Sequence, residues 1–147
     1  EGYFPSHKYE QLLYYTDSFI CVCAKNHTFS QKVNHIEDLL NERILVRETG
    51  SGTRDLLDSY LKTYNLSYTD FKNHLEIESI SSIISLLKND CGISFLYRLS
   101  VEEELKNGSL KEITIQNLPL HHDTTFLWNK NSVYSKQYKE ICKELIG

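Results

Sequence analysis

Several residue types are scarce or missing in this chain of 147 residues. It has no methionine, even at position 1, which favours a processed form or a piece of a longer protein. No apolar run approaches the ~20 residues of a membrane-spanning helix, and no signal-peptide pattern stands at the start, so no membrane partner is expected. No proline-rich linker or low-complexity stretch divides the chain. The length suits one domain core, or one lobe of a two-lobed protein with pieces of the other.

Clustered positive charge is also missing. The formal net charge is −4, and the basic residues are spread along the chain without a stripe that interleaves with aromatic residues. Binding to a phosphate backbone needs several cations on one surface. This chain is therefore not expected to bind nucleic acid by itself.

The four cysteines do not have the spacing of a metal or redox site. Cys21 and Cys23 alternate along an apolar run, so they should point to one face of a strand, and they lack the two-residue gap typical of zinc and dithiol sites. Together with Cys91 and Cys142 they are predicted to be reduced thiols of a cytoplasmic protein, mostly buried. Cys91, just before Gly92, is the redox candidate among the four.

Catalytic groups in a recognisable arrangement are missing as well. Adjacent His121 and His122, followed by Asp123, point apart on a strand or turn and have no third ligand, which favours a polar loop. The other histidines (His7, His27, His35, His74) are isolated in the sequence and are predicted to be solvated. No serine lies in a nucleophile-elbow pattern. The sequence therefore predicts neither an enzyme nor a metal or cofactor site.

Strand-like and helix-like segments alternate along the chain. Apolar runs predict buried strands at 19–24, 43–47 and 93–97, and alternating or shorter runs predict strands at 75–78, 110–115 and 124–128. Helical periodicity predicts helices at 32–41, 53–65, 81–88, 101–106 and 134–146. This alternation is typical of an α/β protein with a mostly parallel sheet flanked by helices.

The most informative segment is the turn between the strand at 43–47 and the following helix. Gly50, Ser51, Gly52 and Thr53 lie where the first helical N–H groups have no partner and carry the positive end of the helix dipole. The glycines let a ligand approach the backbone, and the hydroxyls add donors. Arg54 is the next candidate, although it could instead form a salt bridge with Glu48 or Asp55. The pattern predicts a site for a small anion or carboxylate; the alternative is a simple helix cap.

A second helix start follows the strand at 75–78. Ser79 and Ser81 could contact a ligand from it or could only cap the helix, and Tyr97 could line the same cleft or belong to the core. In α/β sheets ligands lie beyond the carboxyl ends of the strands, where both turns are expected.

Taken together, these segments resemble the effector-binding domain of a LysR-type transcriptional regulator. The run 47–57 is similar to the R-E-x-G-S-G-T-R-D form of the branch that includes regulators of sulfur assimilation and cysteine synthesis. The run 89–97, with the helix and Gly108 that follow, resembles the family's G-x-G-I strand, with Asp90-Cys91 in place of a small residue and Tyr97 in place of proline. The resemblance implies a periplasmic-binding-protein-like (type II) lobe.

The resemblance also implies an organisation and a set of partners. Residues 1–17 would be a remnant of lobe I and the crossover, 18–127 lobe II, and 128–147 the return crossover and last helix of lobe I. A small anionic effector would bind in the cleft between the lobes at Gly50, Ser51, Gly52, Thr53, Arg54, Ser79, Ser81 and Tyr97. DNA would be bound only through a domain absent from this chain, by a homo-oligomer. The apolar face of the last helix (Tyr138, Ile141, Cys142, Leu145) is then expected to be exposed or buried against a second copy.

An extracytoplasmic solute-binding protein for phosphate or another oxyanion is the main alternative. Such proteins share the fold and also hold anions with Ser-Gly-Thr at a helix N-terminus. The turn at 50–53 does not distinguish a regulator from a solute-binding protein. The four scattered cysteines slightly favour a protein that is not exported.

Overall fold

The structure is a computed structural model that describes Pro5 and residues 7–147. Its strands are β1 (Tyr9–Ala24), β2 (Arg43–Arg47), β3 (Asn73–Ile77), β4 (Ile93–Tyr97), β5 (Leu110–Ile113) and β6 (Leu120–Asn129). Its α-helices are α1 (Gly52–Lys62), α2 (Ile80–Lys88), α3 (Glu102–Asn107) and α4 (Ser135–Ile146), and 3-10 helices cover Ile36–Leu39, Tyr68–Asp70 and Arg98–Val101. The predicted bounds of β2 and β4 are confirmed to the residue.

The chain forms two compact units. We call Ser18–Leu120 the lobe, and we call the residues up to Asp17 together with His121–Gly147 the terminal unit. That these units correspond to lobes I and II of a larger domain, with a boundary after residue 127, stays a prediction.

The sheet of the lobe is mixed. Its strand order is β3-β2-β4-β1-β5, with β2 parallel to β3 and to β4, and β1 antiparallel to β4 and β5. The predicted α/β fold is confirmed. The prediction of a mostly parallel sheet was inexact, because β1 is antiparallel to both of its neighbours in the lobe. Helices α1 and α2 connect the three parallel strands, as a crossover connection requires, whereas no helical crossover sets the direction of β1.

Two apolar cores cover the two faces of this sheet. Phe19, Cys21 and Cys23 of β1 contribute to the core that α1 also covers, whereas Ile20 and Val22 contribute to the core under α2. The predicted strand buried on both faces is confirmed. Cys21 and Cys23 share one face as predicted, and burial raises the pKa of both thiols, that of Cys23 to about 11. Because the thiolate is the reactive form, both are inert at neutral pH.

The prediction of a helix at 32–41 is wrong, since only a short 3-10 helix, Ile36–Leu39, forms there. The carboxylate of Asp38 accepts hydrogen bonds from the backbone N–H groups of Asn34 and His35, each at 2.9 Å, and these bonds lower the pKa of Asp38. A side chain that binds the preceding N–H groups competes with the helical pattern at that position. Apolar spacing alone does not reveal this competition.

His27 is not solvated, contrary to the prediction from its isolation in the sequence. Its Nδ1 lies 2.6 Å from Asp90 Oδ1 and its Nε2 lies 3.1 Å from Glu42 Oε2, with 12% of the side chain exposed. Its carbonyl accepts a hydrogen bond from Lys111 Nζ at 2.9 Å, and its ring packs edge-on against Phe29. One side chain thus joins the segment after β1 to the turns that precede β2 and β4.

The terminal unit is held together by Glu10. Trp128 Nε1 and Ser135 Oγ donate to Glu10 Oε2 at 3.0 and 2.8 Å, and Lys139 Nζ donates to Oε1 at 3.0 Å. The Lys139 hydrogen bond, followed by that of Ser135, lowers the pKa of Glu10. Strand β6 pairs with β1 in this unit, so the carboxylate ties both strands to α4. Cys142 is only 5% exposed. The prediction that it belongs to the open apolar face of the last helix is therefore wrong.

We predict that His27→Gln lowers the free energy of unfolding by about 1–3 kcal/mol, because a glutamine amide cannot bridge two carboxylates in the imidazole geometry. Urea unfolding followed by circular dichroism measures the change. His7→Gln, at an exposed position, is the matched control and should stay within about 0.5 kcal/mol of the parent. Equal effects of the two changes would contradict the bridging role.

Candidate functional site

The carboxyl ends of the three parallel strands lie at one edge of the lobe. Arg47 of β2 is paired with Ile77 of β3, and β4 runs in the same direction on the other side of β2. The segments that follow these strands are the start of α1, the start of α2 and the 3-10 helix Arg98–Val101. This edge, which we call the carboxyl edge, brings together the two helix starts that the sequence analysis selected.

The turn into α1 leaves two backbone donors open. Gly50 has φ +94°, a left-handed conformation that glycine adopts without strain, and an added Cβ would meet no atom within 4 Å. Ser51 is the N-cap and its Oγ accepts a hydrogen bond from Arg54 N at 3.1 Å. The N–H groups of Gly52 and Thr53 donate to no described residue. They are the orphan donors that a helix N-terminus offers to an anion.

Thr53 adds a side-chain hydroxyl without a partner. The residue is 9% exposed, and its hydroxyl forms no hydrogen bond with any described residue. Among the described side chains, the only fully enclosed polar atom without a partner is the hydroxyl of Tyr60. The Thr53 hydroxyl also has no partner but is not in this class, so it is not fully enclosed. It is accessible from the surface next to the open N–H group of its own residue.

The turn into α2 is capped by Ser79. Its Oγ accepts from Ser82 N at 3.3 Å and lies 2.8 Å from the Oγ of Ser81. The capping interpretation of Ser79 is confirmed. The Ser79–Ser81 hydrogen bond uses one of the two hydroxyl protons, so the pair has one proton left for a second role.

Tyr97 ends β4 at the same edge. It is half-buried, is paired with Phe19 in the sheet, and its ring lies edge-on to that of Phe19 at a centroid distance of 5.8 Å. The carboxyl edge thus contains all the positions selected from the sequence: Gly50, Ser51, Gly52, Thr53, Arg54, Ser79, Ser81 and Tyr97.

Arg54 is already bound within the lobe. Its Nε lies 3.0 and 3.1 Å from the carboxylate oxygens of Asp58, and its NH1 donates to Glu76 at 3.2 Å and to the carbonyl of Arg47 at 2.9 Å. The guanidinium carbon also lies 4.0 Å from the centroid of the Tyr68 ring. Burial disfavours the charge of Arg54, but the bonds and charge of Asp58, with Tyr68 and Glu76, outweigh it and raise the pKa.

The salt-bridge partners suggested from the sequence for Arg54 are wrong. Glu48 is bound by Arg47 through two hydrogen bonds, at 2.8 and 2.9 Å, which lower the pKa of Glu48. Asp58 lies four residues after Arg54, the spacing that brings two side chains together on a helix, and could have been found by that rule. Glu76 and Tyr68 come from other elements, and no local signal predicts them.

The described part of the chain contains no group of three or more His, Cys, Asp or Glu residues that could hold a metal ion. Asp123, from the run that begins at His121, accepts a hydrogen bond from Thr16 Oγ1 at 2.6 Å.

Across Pro5 and residues 7–147, no helix combines the length and the hydropathy that spanning a membrane would take.

Comparison with known proteins identifies the family. The sequence model of the LysR substrate binding domain matches residues 2–145, and the chain belongs to this family. The chain is similar to a probable RuBisCO transcriptional regulator of Porphyra purpurea, with 26% identity over 135 residues that cover 90% of this chain and 42% of that protein. The chain thus spans less than half the length of this relative.

Solved structures show the same fold. The regulatory domain of CcmR from Synechocystis PCC6803, in complex with 2-PG, has a TM-score of 0.74 and 18% identity, and the match covers 98% of this chain and 70% of that one. The bromide-ion-bound regulatory domain of HypT from Salmonella typhimurium has a TM-score of 0.69 and 13% identity, covering 95% and 65% of the two chains. These likenesses confirm the type II periplasmic-binding-protein-like architecture implied by the sequence resemblance.

We predict that Arg54→Gln lowers the free energy of unfolding by about 1–3 kcal/mol, because it removes charge-assisted bonds from the junction of β2, β3 and α1. The loss stays moderate because Asp58 and Glu76 are about half exposed, 48% and 49%, and water can hydrate them. Chemical unfolding measures the change.

Arg98→Gln is the control for this prediction. Arg98 is 42% exposed and binds one carboxylate, Glu112, so its loss should cost at most about 1 kcal/mol. A cost for Arg54→Gln no larger than that of the control would contradict a central structural role.

Proposed function

We propose that this chain is the effector-sensing part of a LysR-type transcriptional regulator and binds a small anionic metabolite or inorganic oxyanion at the carboxyl edge. The observation that carries the proposal is the turn into α1, where two open N–H groups and the free hydroxyl of Thr53 lie together. Such donors at the positive end of a helix dipole favour an anion. Family membership supplies the regulatory context.

The candidate residues would have different roles. Gly52 and Thr53 would donate to the ligand, while Gly50 and Ser51 shape the turn. The hydrogen-bonded pair Ser79 and Ser81 would offer its one remaining hydroxyl proton from the second helix start. Arg54 would act as a positioning residue, because its guanidinium is bound to Asp58, Glu76 and the carbonyl of Arg47. Tyr97 would close the edge beyond β4.

Ligand binding would act on DNA through the rest of the parent protein. A ligand that binds one arrangement of the domain better than another shifts the population toward that arrangement, and the differential affinity limits the size of the shift. We place this regulator in the cytoplasm and assign it no catalytic role, since the named relatives are transcriptional regulators. The same relatives give no support to a solute-binding protein.

We predict that Thr53→Val weakens the binding of the responsive ligand about tenfold, which corresponds to the loss of one hydrogen bond to a charged group. Thermal-shift titration of the chain with sulfate, phosphate and small carboxylates measures the change, since a ligand of the folded state raises the melting temperature. Thr28→Val, in the exposed segment after β1 at the opposite edge, is the control and should leave the shift unchanged. If both variants respond like the parent protein, the ligand binds elsewhere.

Helix α4 supports the proposal that the protein is a homo-oligomer. Tyr134, Tyr138, Ile141 and Leu145 recur at spacings of four, three and four residues and are between 38% and 58% exposed. Three of these residues, Tyr138, Ile141 and Leu145, line an apolar groove of about 420 Å³ in the terminal unit, with Phe126 and Trp128 on its other side. Apolar stripes of this kind are typical of helix pairing, and we propose a dimer through α4.

We predict that Leu145→Asp shifts the chain from dimer to monomer, because an aspartate in the paired stripe leaves a buried charge without a partner. Sedimentation equilibrium measures the mass. Lys136→Gln changes the net charge by the same amount on the opposite side of α4 and should leave the dimer intact. A wild-type monomer, with Leu145→Asp no more soluble than the parent, would contradict the proposal.

A further inference from the structure

A cavity of about 380 Å³ lies within the terminal unit, outside the carboxyl edge. The start of β1, the end of β6 and one side of α4 line it. Tyr9, Leu12 and Trp128 supply apolar surface, and Lys139 and Lys143 supply ammonium groups from successive turns of α4. An apolar wall with a few charged groups beside it is the composition of a small-molecule site.

The charges that line this cavity are mostly positive. Lys130, Lys139 and Lys143 line it, and Glu10 is the only carboxylate among its described lining residues. Lys139 Nζ donates to Glu10 Oε1 at 3.0 Å, which matches this carboxylate with one ammonium group. Lys143 is exposed and forms no ion pair with any described residue. The cavity therefore has positive charge that no lining carboxylate balances.

The cavity and the proposed dimer surface use different sides of α4. Lys139 and Lys143 lie four residues apart and so share one side of the helix. At about 100° per residue, that side is turned away from the apolar stripe at 134, 138, 141 and 145. Neither lysine lines the apolar groove, whereas Trp128 lines both the groove and the cavity. A dimer through the stripe would therefore leave the cavity open.

From this arrangement we infer that the cavity is a binding site for a small organic acid, with one carboxylate on an aromatic or aliphatic body. The carboxylate takes the ammonium group of Lys143 and one of the two N–H groups that Lys139 does not donate to Glu10. The body lies against Tyr9 and Leu12. Sulfate or phosphate gains the charge without the apolar contact, and a neutral amide gains the contact without the charge.

The site is separate from the one proposed at the carboxyl edge, and the inference does not rest on that proposal. All the residues that line the cavity belong to the terminal unit, whereas the turn into α1 belongs to the lobe. The two sites can therefore be tested independently.

Trp128 makes the test direct, because it is the only tryptophan of the chain and lines the cavity. The chain is titrated at neutral pH and constant ionic strength, and tryptophan emission is followed. The probes are phenylacetate and phenylacetamide, hexanoate and hexanamide, acetate, and sodium sulfate. At least one of the two larger acids should change the emission with a Kd about fivefold lower than that of its amide, the upper end for an ion pair in contact with water.

Three variants complete the test. Lys143→Gln should bring the Kd of the acid close to that of its amide. Lys136→Gln makes the same charge change on α4 at an exposed position that does not line the cavity, so it should preserve the ratio of the two Kd values. Thr53→Val, at the carboxyl edge, should leave the emission titration unchanged.

The remaining outcomes contradict the inference in distinguishable ways. Equal Kd values for acid and amide in the parent chain would mean that the apolar groove, which Trp128 also lines, binds the body alone. An unchanged ratio in Lys143→Gln overturns the role of Lys143. Loss of the emission change in Thr53→Val would place the ligand at the carboxyl edge instead. If no probe changes the emission, the cavity is not a site for organic acids, and the proposal for the carboxyl edge stands.

Discussion

The parallel pairing of β2 with β3 determines where the candidate site residues of this lobe lie. Both strands end at the same register level, at Arg47 and Ile77, and a helix begins within a few residues of each end. Two helix N-termini therefore lie at one edge of the sheet, with α1 packed on one face and α2 on the other. A shift of this register by one residue would move Glu76 away from Arg54 and reverse the faces of β3. The position of the candidate site thus follows from the strand pairing, and the individual side chains add to it.

Charge at this edge is balanced by short ion pairs within the lobe. The guanidinium of Arg54 contacts residues from α1, β2, β3 and the 3-10 helix Tyr68–Asp70, so it fixes the position of the turn that it follows. Arg47 is bound by the adjacent Glu48. The groups that remain available to a ligand are backbone amides and hydroxyls.

Local pattern predicted most of the elements and the turn into α1 that holds the candidate site residues. The bounds of the buried strands β2 and β4 were predicted to the residue, because a short apolar run bounded by polar residues fits few structures other than a buried strand. The turn at Gly50 to Thr53 was found because glycine and small hydroxyl residues between a strand and a helix have a specific geometric meaning. The direction of β1 was not predictable, because strand order follows from long-range pairing. His27 and Glu76 were missed for the same reason, since their partners are distant in sequence.

The conformation of Gly50 has a consequence for how this family member can change over evolutionary time. Its backbone requires a residue that tolerates positive φ, yet the space around its Cα is empty. Any side chain is strained at this φ, and asparagine and aspartate, which visit positive φ most often, are the replacements with the smallest cost. Either one would place a polar group at the rim of the donors of α1 without disturbing the packing below. Position 50 can thus acquire a polar side chain at the rim of this turn at the cost of local backbone strain, while the packing below it stays the same.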